Sequence, residues 1–456
     1  NSAPMKLPQN KTSRLDGFID NPSKALWTLA FPIMAGMGIH TLYTIVDMIF
    51  IGRLGGDAIA AVAFNMPLFF LVLGLSFGVG SGVTASIARF IGAKDKVNAD
   101  NTAEHAVALG LIISTILTTL GLIYGEGLLQ RLGATESVLP LSWDYLKVSL
   151  IGLPFMVFST FFRSILSGEG DMKLPMAVAG LGTILNIILD PIFIFTLGYG
   201  VGGAAMASAI SQLIVFLIFV YMLFVKEHAY IRFRMRDFSP SIFIIKDIIR
   251  VGLPASMSMI IMAFGQLVFN RILVRFSTDA VAAYQVGGRM DMVIFLPIMA
   301  IASALTTLVG MFFGAKEIEK IKFIAKYGII RSMMVTGVLS IILYIFAPLV
   351  VKSFTLDVDI QSIAVTYLRF ICLIYPLIAI GMTVGRILQG LGKGLPMLVI
   401  TSIRILALSA PLALYFIMVL NKPIEWVWYA MIISTIVSVA ISLIWLKSAF
   451  KDLVRD

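Results

Sequence analysis

Twelve long apolar runs, separated by short polar stretches, dominate this chain. A helix needs roughly 20 apolar residues to cross the hydrocarbon core of a bilayer, and these runs reach that length. The hydrophobic pattern places the spans at 25–51, 58–88, 104–125, 139–166, 174–197, 202–225, 247–275, 280–312, 323–350, 361–388, 395–420 and 424–446 of the 456 residues. Only 13% of residues are charged, and the mean hydropathy is +0.97. That is about half the charge of an ordinary soluble domain, too little to cover a water-facing surface of this size. The sequence therefore predicts an all-α integral membrane protein. Prolines inside the spans, Pro32, Pro154, Pro191, Pro254 and Pro376 among them, are tolerated in membrane helices and mark bends.

Orientation follows from the basic residues. If the N-terminus is cytoplasmic, the inner segments hold 25 Lys and Arg and the outer loops five. Such a bias is the positive-inside pattern, and it predicts that both termini are cytoplasmic. It also accounts for the net charge of +10 without nucleic acid, which is not expected as a partner. The first 24 residues carry no apolar run of a signal peptide.

The two halves of the chain align at an offset of 222. Pro32 falls on Pro254, Asp57-Ala58 on Asp279-Ala280, Gly92-Ala93-Lys94 on Gly314-Ala315-Lys316, and Pro154 on Pro376. After a one-residue deletion, Pro175-Met176 falls on Pro396-Met397. A repeat of six helices puts both copies in the membrane the same way up, as parallel repeats are, related by a pseudo-two-fold axis along the membrane normal. The expected organisation is an N-terminal segment 1–24, a six-helix bundle 25–225, a basic cytoplasmic linker 226–246, a second bundle 247–446 and a tail 447–456. Two bundles facing each other across a cleft favour a transporter over a channel or a membrane enzyme.

Ionisable residues inside spans are costly and are functional candidates by default. Three acidic residues lie there: Asp47, Asp190 and Asp291. Asp47 shares a helix face with Tyr43 and His40, at spacings of four and seven. Asp190 shares a face with Asn186 and is followed by Pro191, which interrupts the local backbone ladder. The repeat supplies a control: Asp47 maps to Phe269 and Asp190 to Pro411, so the second bundle lacks both carboxylates. A role confined to building the six-helix unit would not explain that asymmetry. Two close carboxylates in a low-dielectric site resist ionisation and titrate as a coupled unit. The same oxygens, with Asn186 and a nearby hydroxyl, also suit sodium, a hard cation; residue types do not separate the two ions. His40 reads either as a proton relay or as a locally satisfied core histidine. Asp291, two residues from Arg289, reads as a structural ion pair or as a charge lining the cleft.

Nothing in the sequence points to ATP hydrolysis or another enzyme chemistry. Gly78-x-Gly80-x-Gly82 lies inside an apolar span and lacks a following lysine, so close helix packing is the better reading.

The stretch Pro32 through Val46-Asp47-Met48-Ile49-Phe50-Ile51-Gly52-Arg53-Leu54-Gly55, with Asn186-Ile187-Ile188-Leu189-Asp190-Pro191, resembles the multidrug and toxic compound extrusion family. The likeness spans the whole chain and is closest to its prokaryotic DinF-like branch. The resemblance implies ion coupling through Asp47, Asn186 and Asp190, assisted by Tyr43 and by Ser208, which stands where that branch has a threonine. It implies a first helix that bends at Pro32, and a sodium site, if sodium is the ion, at Asp47, Asn186, Asp190 and Ser208. Two departures stand out: His40 replaces an expected glutamine, and Gln266 occupies the region where the NorM-like branch carries a glutamate. The implied activity is export of cationic amphipathic drugs and dyes against inward proton or sodium flow, without a cofactor. The expected setting is the inner membrane, as a monomer surrounded by lipid. A lipid or lipid-linked oligosaccharide flippase of the same superfamily is the alternative.

Overall fold

The computed structural model describes residues 14–233 and 238–455. Residues 1–13 of the expected N-terminal segment, and 234–237 of the linker with Arg234 and Arg236, lie outside the described residues. Among the described residues, twelve helices are long and apolar enough to cross a membrane. A short helix α1 (Leu15–Asp20) precedes them. The first half holds α2 (Pro22–Gly52), α3 (Gly56–Gly92), α4 (Lys96–Arg131), α5 (Leu139–Gly168), α6 (Lys173–Pro191) and α7 (Gly200–Val220). The second half holds α8 (Ile242–Leu273), α9 (Thr278–Gly314), α10 (Ile318–Lys352), α11 (Val358–Gly390), α12 (Leu395–Ser402), α13 (Ala410–Met418) and α14 (Glu425–Arg455). π-helical turns extend α6 over Ile192–Thr196 and α7 over Tyr221–Val225, and join α12 to α13 over Ile403–Ser409. The eleventh span is thus α12, its π turns and α13.

Local chemistry sets the helix ends. Asn21 caps α2 through the Lys24 amide, with Pro22 at the first helical position. Asp95 caps α4, and Asp357 caps α11. Arg163 and Arg386, which fall within the expected spans 139–166 and 361–388, lie inside α5 and α11. Helix α8 begins at Ile242, so the linker ends sooner than expected on that side and runs over 226–241.

The repeat is visible in the backbone. Lys94 and Lys316 are non-glycine residues at positive φ, 57° and 59°. Each ends a helix with the same pair of bonds. Asp95 N–H donates to Phe90 and Lys94 N–H to Ile91, while Glu317 N–H donates to Phe312 and Lys316 N–H to Phe313. This is a left-handed helix stop, made twice by Gly-Ala-Lys.

The side of the membrane bearing α1, the linker and the end of α14 is called here the terminal side. On that side one apolar core runs through both halves, with Val83, Ile87 and Ile91 of α3 alongside Leu305, Leu308 and Val309 of α9. The halves meet where α3 packs on α8 and α9, and where α2 packs on α9. Small residues make this possible. A Cβ added at Gly92 would stand 2.0 Å from the Met311 carbonyl oxygen, and one added at Gly314 would stand 2.0 Å from that of Arg89. Gly78 and Gly82 likewise abut Ser256 and Ile248 of α8, the packing role expected of that glycine run. Polar ties cross the same seam. Arg89 pairs with Asp247 at 2.5 Å, and Ser86 donates to the same carboxylate at 2.6 Å. Thr307 donates to the Ser167 carbonyl, and Trp27 to the Tyr327 hydroxyl.

On the opposite side the cores separate. One, around Ile51, Ala58, Val62 and Val201, belongs to the first half; another, around Tyr367, Tyr375 and Trp428, belongs to the second. Among the described residues no buried apolar cluster joins the halves there. The two bundles are closed at the terminal side and parted at the other.

The linker is fastened to the first half. Buried Glu169, just beyond α5, accepts from the Tyr230 and Ile231 amides at 2.9 and 3.2 Å. Asp171 accepts from Arg14 and His228 at 2.9 and 3.0 Å. Asp100 accepts from the Arg232 amide, and His105 from that of Ser241. Burial pushes the Glu169 carboxyl up to about 7, against the opposing pull of the linker amides and Arg14. Burial also acts to raise Asp171, but Arg14 and His228 outweigh it and hold that group below the usual carboxylate range.

This gives a pH-dependent expectation. The native state retains a proton on Glu169 that the unfolded chain releases near 4.5. The group's contribution to stability is therefore present at low pH and lost as pH rises through 7. Glu169→Gln keeps an acceptor oxygen and removes the titration. Relative to wild type it is expected to gain thermal stability between about pH 5 and pH 8, by as much as about 3 kcal/mol. Melting curves across that range, followed by tryptophan fluorescence, check this; a difference that does not change with pH would refute it.

Candidate functional site

The first half gathers most of its sequence-picked residues at one place, in the part of the membrane away from the termini. Asp47 and Tyr43 come from the last three turns of α2, Asn186 and Asp190 from the end of α6, and Ser208 from α7. Helix α2 packs on α6, and α6 on α7, so the i,i+4 pairs on α2 and α6 meet across a helix–helix contact. Asp190 is fully buried and Asn186 nearly so, at 0% and 4% exposure.

The polar contacts form a chain. The Asn186 amide donates to Asp190 Oδ1 at 3.3 Å and to Ser208 Oγ at 3.4 Å. The Tyr43 and Ser208 hydroxyls lie 3.4 Å apart. The Asp47 carboxyl is in direct side-chain interaction with that of Asp190. Two acceptors in this network are buried without a donor: Asn186 Oδ1 and Asp190 Oδ2. A buried polar atom left unpaired is costly. A proton on the carboxylate pair would turn one oxygen into a donor, and a hard cation would satisfy several oxygens at once. The donor set of Asp47, Asn186, Asp190 and Ser208 suits either. It is too small to count as a carboxylate-rich metal cluster, and no group of three or more His, Cys, Asp or Glu placed to hold a metal ion is found among the described residues.

Tyr145 on α5 also belongs to the site, near enough to interact electrostatically with both Asp47 and Asp190. In the repeat Tyr145 falls on Tyr367 at the offset of 222. The available signal was a polar aromatic within the span opposite the carboxylates. Its repeat partner Tyr367 instead packs edge-on against Trp428 at 4.7 Å.

His40 sits on the same face of α2, with its ring 5.7 Å from that of Tyr43. It is exposed, and Arg163 is its charged neighbour; it is not one of the residues hydrogen-bonded into the network. Pro32 lies inside α2, which continues through it as a single helix from Pro22 to Gly52.

Asp291 is elsewhere, inside the second half. The expected pairing with Arg289 is not what the structure shows. Residues two apart on a helix point in nearly opposite directions. The Asp291 carboxylate instead accepts from the Tyr375 hydroxyl of α11, and the Arg289 guanidinium lies over the Phe354 ring at 6.0 Å.

Known proteins share this architecture. The "Probable multidrug resistance protein NorM" of Thermotoga maritima is 29% identical over 430 residues, covering 93% of this chain and 92% of that protein. The "FAD transporter" of Shewanella oneidensis is 27% identical over 406 residues, covering 87% and 89%. A solved structure described as the outward-facing conformation of a multidrug resistance MATE family transporter superposes with a TM-score of 0.94 at 34% identity, covering 98% of this chain and all of that one. The MatE family model matches twice, over residues 32–192 and 254–415, with starts separated by the offset of the internal repeat. Matched in both of its halves, the chain belongs to the MatE family.

Proposed function

We propose that this protein is a secondary active multidrug exporter that exchanges cationic amphipathic drugs and dyes for protons or sodium entering the cell. The observation that carries the reading is the pair of buried, donorless oxygens on Asn186 and Asp190, beside a second carboxylate, in a molecule whose two halves part on one side. Ion and substrate then compete for one polar site. Binding of the ion supplies what the unpaired oxygens lack and draws α2 toward α6. Release of the ion leaves a negative pocket that suits a cationic drug. Neutralising the pair is proposed to rearrange α2 about Pro32 and shrink the drug cavity.

The basic bias of the terminal side supports placing it in the cytoplasm, with the chain crossing the cell's inner membrane. The halves are then parted toward the outside, the state that releases drug and admits the ion. The membrane potential drives a cation inward with about 2.3 kcal/mol per charge per 100 mV. That energy moves a substrate only if ion and substrate favour different states of the protein.

The test is dye movement in proteoliposomes under an imposed gradient. A proton gradient or a sodium gradient is expected to drive dye accumulation that collapses when that gradient is dissipated. Dye movement indifferent to both gradients would defeat the coupling. Accelerated lipid transbilayer movement without dye transport would favour the flippase.

A further inference from the structure

The second half has a polar pocket of its own, and its charge is reversed. Helices α8, α9, α11, α12 and α14 enclose a cavity of about 50 Å³, lined by Met262, Phe295, Met382, Thr401, Arg404 and other residues. Arg404 lies in the π-helical stretch Ile403–Ser409, inside the span Leu395–Met418. π turns within helices are frequent at functional sites.

Arginines toward the ends of α3, α5 and α11 have partners. Arg89 pairs with Asp247, Arg163 stacks over Phe77 at 4.7 Å, and Arg386 donates through one terminal nitrogen to Gln389 at 3.1 Å while its Nε is buried without a partner. Arg404 makes no hydrogen bond or ion pair among the described residues, and none of its nitrogens is wholly occluded. Its electrostatic neighbour is Tyr284, which also neighbours Asp291. Asp291 itself is taken by Tyr375.

Thr401, three residues before Arg404 and so on the same face, is also without a hydrogen-bond partner among the described residues and lines the same cavity. The other hydroxyls there, Thr435 and Ser438, already donate to carbonyls of their own helix. Free donors are therefore concentrated on Arg404 and Thr401. An unpaired charge within a membrane span is costly and is retained where a counter-charge arrives. The guanidinium is a planar fork of donors matched to an oxyanion. A cavity needs roughly 10–15 Å³ to admit one water, so this one has room for one small head group and not for a whole drug. Met262, Phe295 and Met382 offer an adaptable apolar wall for the atoms attached to it.

The repeat sharpens the contrast. In the register that sets Pro175 on Pro396, Arg404 corresponds to Thr183, and Asn186 and Asp190 correspond to Ala407 and Pro411. The twin span therefore has no polar side chain at either acceptor position, and it carries a cation one turn before the first of them.

We propose that the second-half cavity binds the singly charged oxyanion group, carboxylate or phosphate, of an amphipathic molecule, with Arg404 and Thr401 as its donors. The site stands whether or not the first half couples ions.

The full chain in phosphatidylcholine nanodiscs tests this by thermal stabilisation with decanoate, decanol and acetate. Decanoate is expected to stabilise the wild type saturably, with at least about tenfold weaker binding in Arg404→Met, a smaller loss in Thr401→Val and partial retention in Arg404→Lys. Without ligand, Arg404→Met is expected to melt no lower than wild type, because the charge it removes is unpaired. A lower melting point would mean that Arg404 serves a structural partner, and would overturn the proposal. So would unchanged decanoate binding in Arg404→Met. Equal effects of decanoate and decanol would overturn the anionic assignment, and equal effects of decanoate and acetate the amphipathic one. Repeating the measurement with phosphatidylglycerol in the disc separates two supporting outcomes. Loss of the decanoate effect identifies a lipid head group as the occupant; its persistence identifies a soluble amphiphile.

Discussion

Asp47→Asn is expected to lower gradient-driven dye transport by about 10- to 100-fold, the range of a typical coupling free energy between two sites, while the protein stays folded. The substitution keeps the shape of the side chain, exchanges one acceptor oxygen for a donating amide and removes the charge. Asp190 is left with the Asn186 amide and without a second carboxylate. The site can then no longer pass between a charged and a neutralised pair, so the gradient loses its grip on the conformational equilibrium. Dye exchange without a gradient should survive better than driven transport. Because Asp47 and Asp190 interact directly, Asp190→Asn in the Asp47→Asn background should add little, the non-additivity expected of coupled residues. The assay is dye transport in vesicles under an imposed gradient, with expression and melting point as controls. Undiminished driven transport would place the coupling elsewhere, and Asp291 with Tyr375 would be examined next.

Gly314→Val should act at the opposite end of the molecule, by prying the halves apart. A Cβ at Gly314 would lie 2.0 Å from the Arg89 carbonyl oxygen, against 3.4–4 Å for ordinary contact. The obstacle is backbone, which cannot swing aside as a side chain can. Overpacking a well-packed contact costs about 1–3 kcal/mol, and here that cost falls only on the state with the terminal side closed. A bias of that size shifts a two-state equilibrium by about 5- to 150-fold toward opening on the terminal side. A cysteine at Ser256, which is buried on the α3–α8 seam at 1% exposure, reports the change in a background where the native Cys372 is replaced by alanine. Maleimide labelling from the terminal side should be slow in wild type and at least about tenfold faster with Gly314→Val. Asp247→Asn removes the ionic partner of Arg89 and leaves the packing intact, so its effect should have the same direction and a smaller size. Equal labelling in all three proteins would mean that the seam is not where the halves part.

Much of this was legible in the residues. Spans are visible because lipid demands apolar surface over a fixed length. The repeat is visible because the same turn chemistry, Gly-Ala-Lys, must be spelled the same way twice. Asp47 with Tyr43, and Asn186 with Asp190, could be grouped because helical periodicity is local.

Other features depended on which helix lies beside which. Tyr145 reaches the carboxylates from α5, across nearly a hundred positions of sequence from Asp47. Asp291 takes its donor from Tyr375 and not from neighbouring Arg289, because helix geometry turns residues two apart away from each other. Arg404 is exceptional only once every neighbouring side chain has been placed around it. The sequence by itself determined the solvent of this protein, its twofold plan and the residue types of its first-half pocket, all of which rest on composition and short-range periodicity. Tertiary structure alone decided that the halves are closed at the terminal side and parted at the other, and which buried polar groups lack a partner, because both depend on packing between spans far apart in the chain.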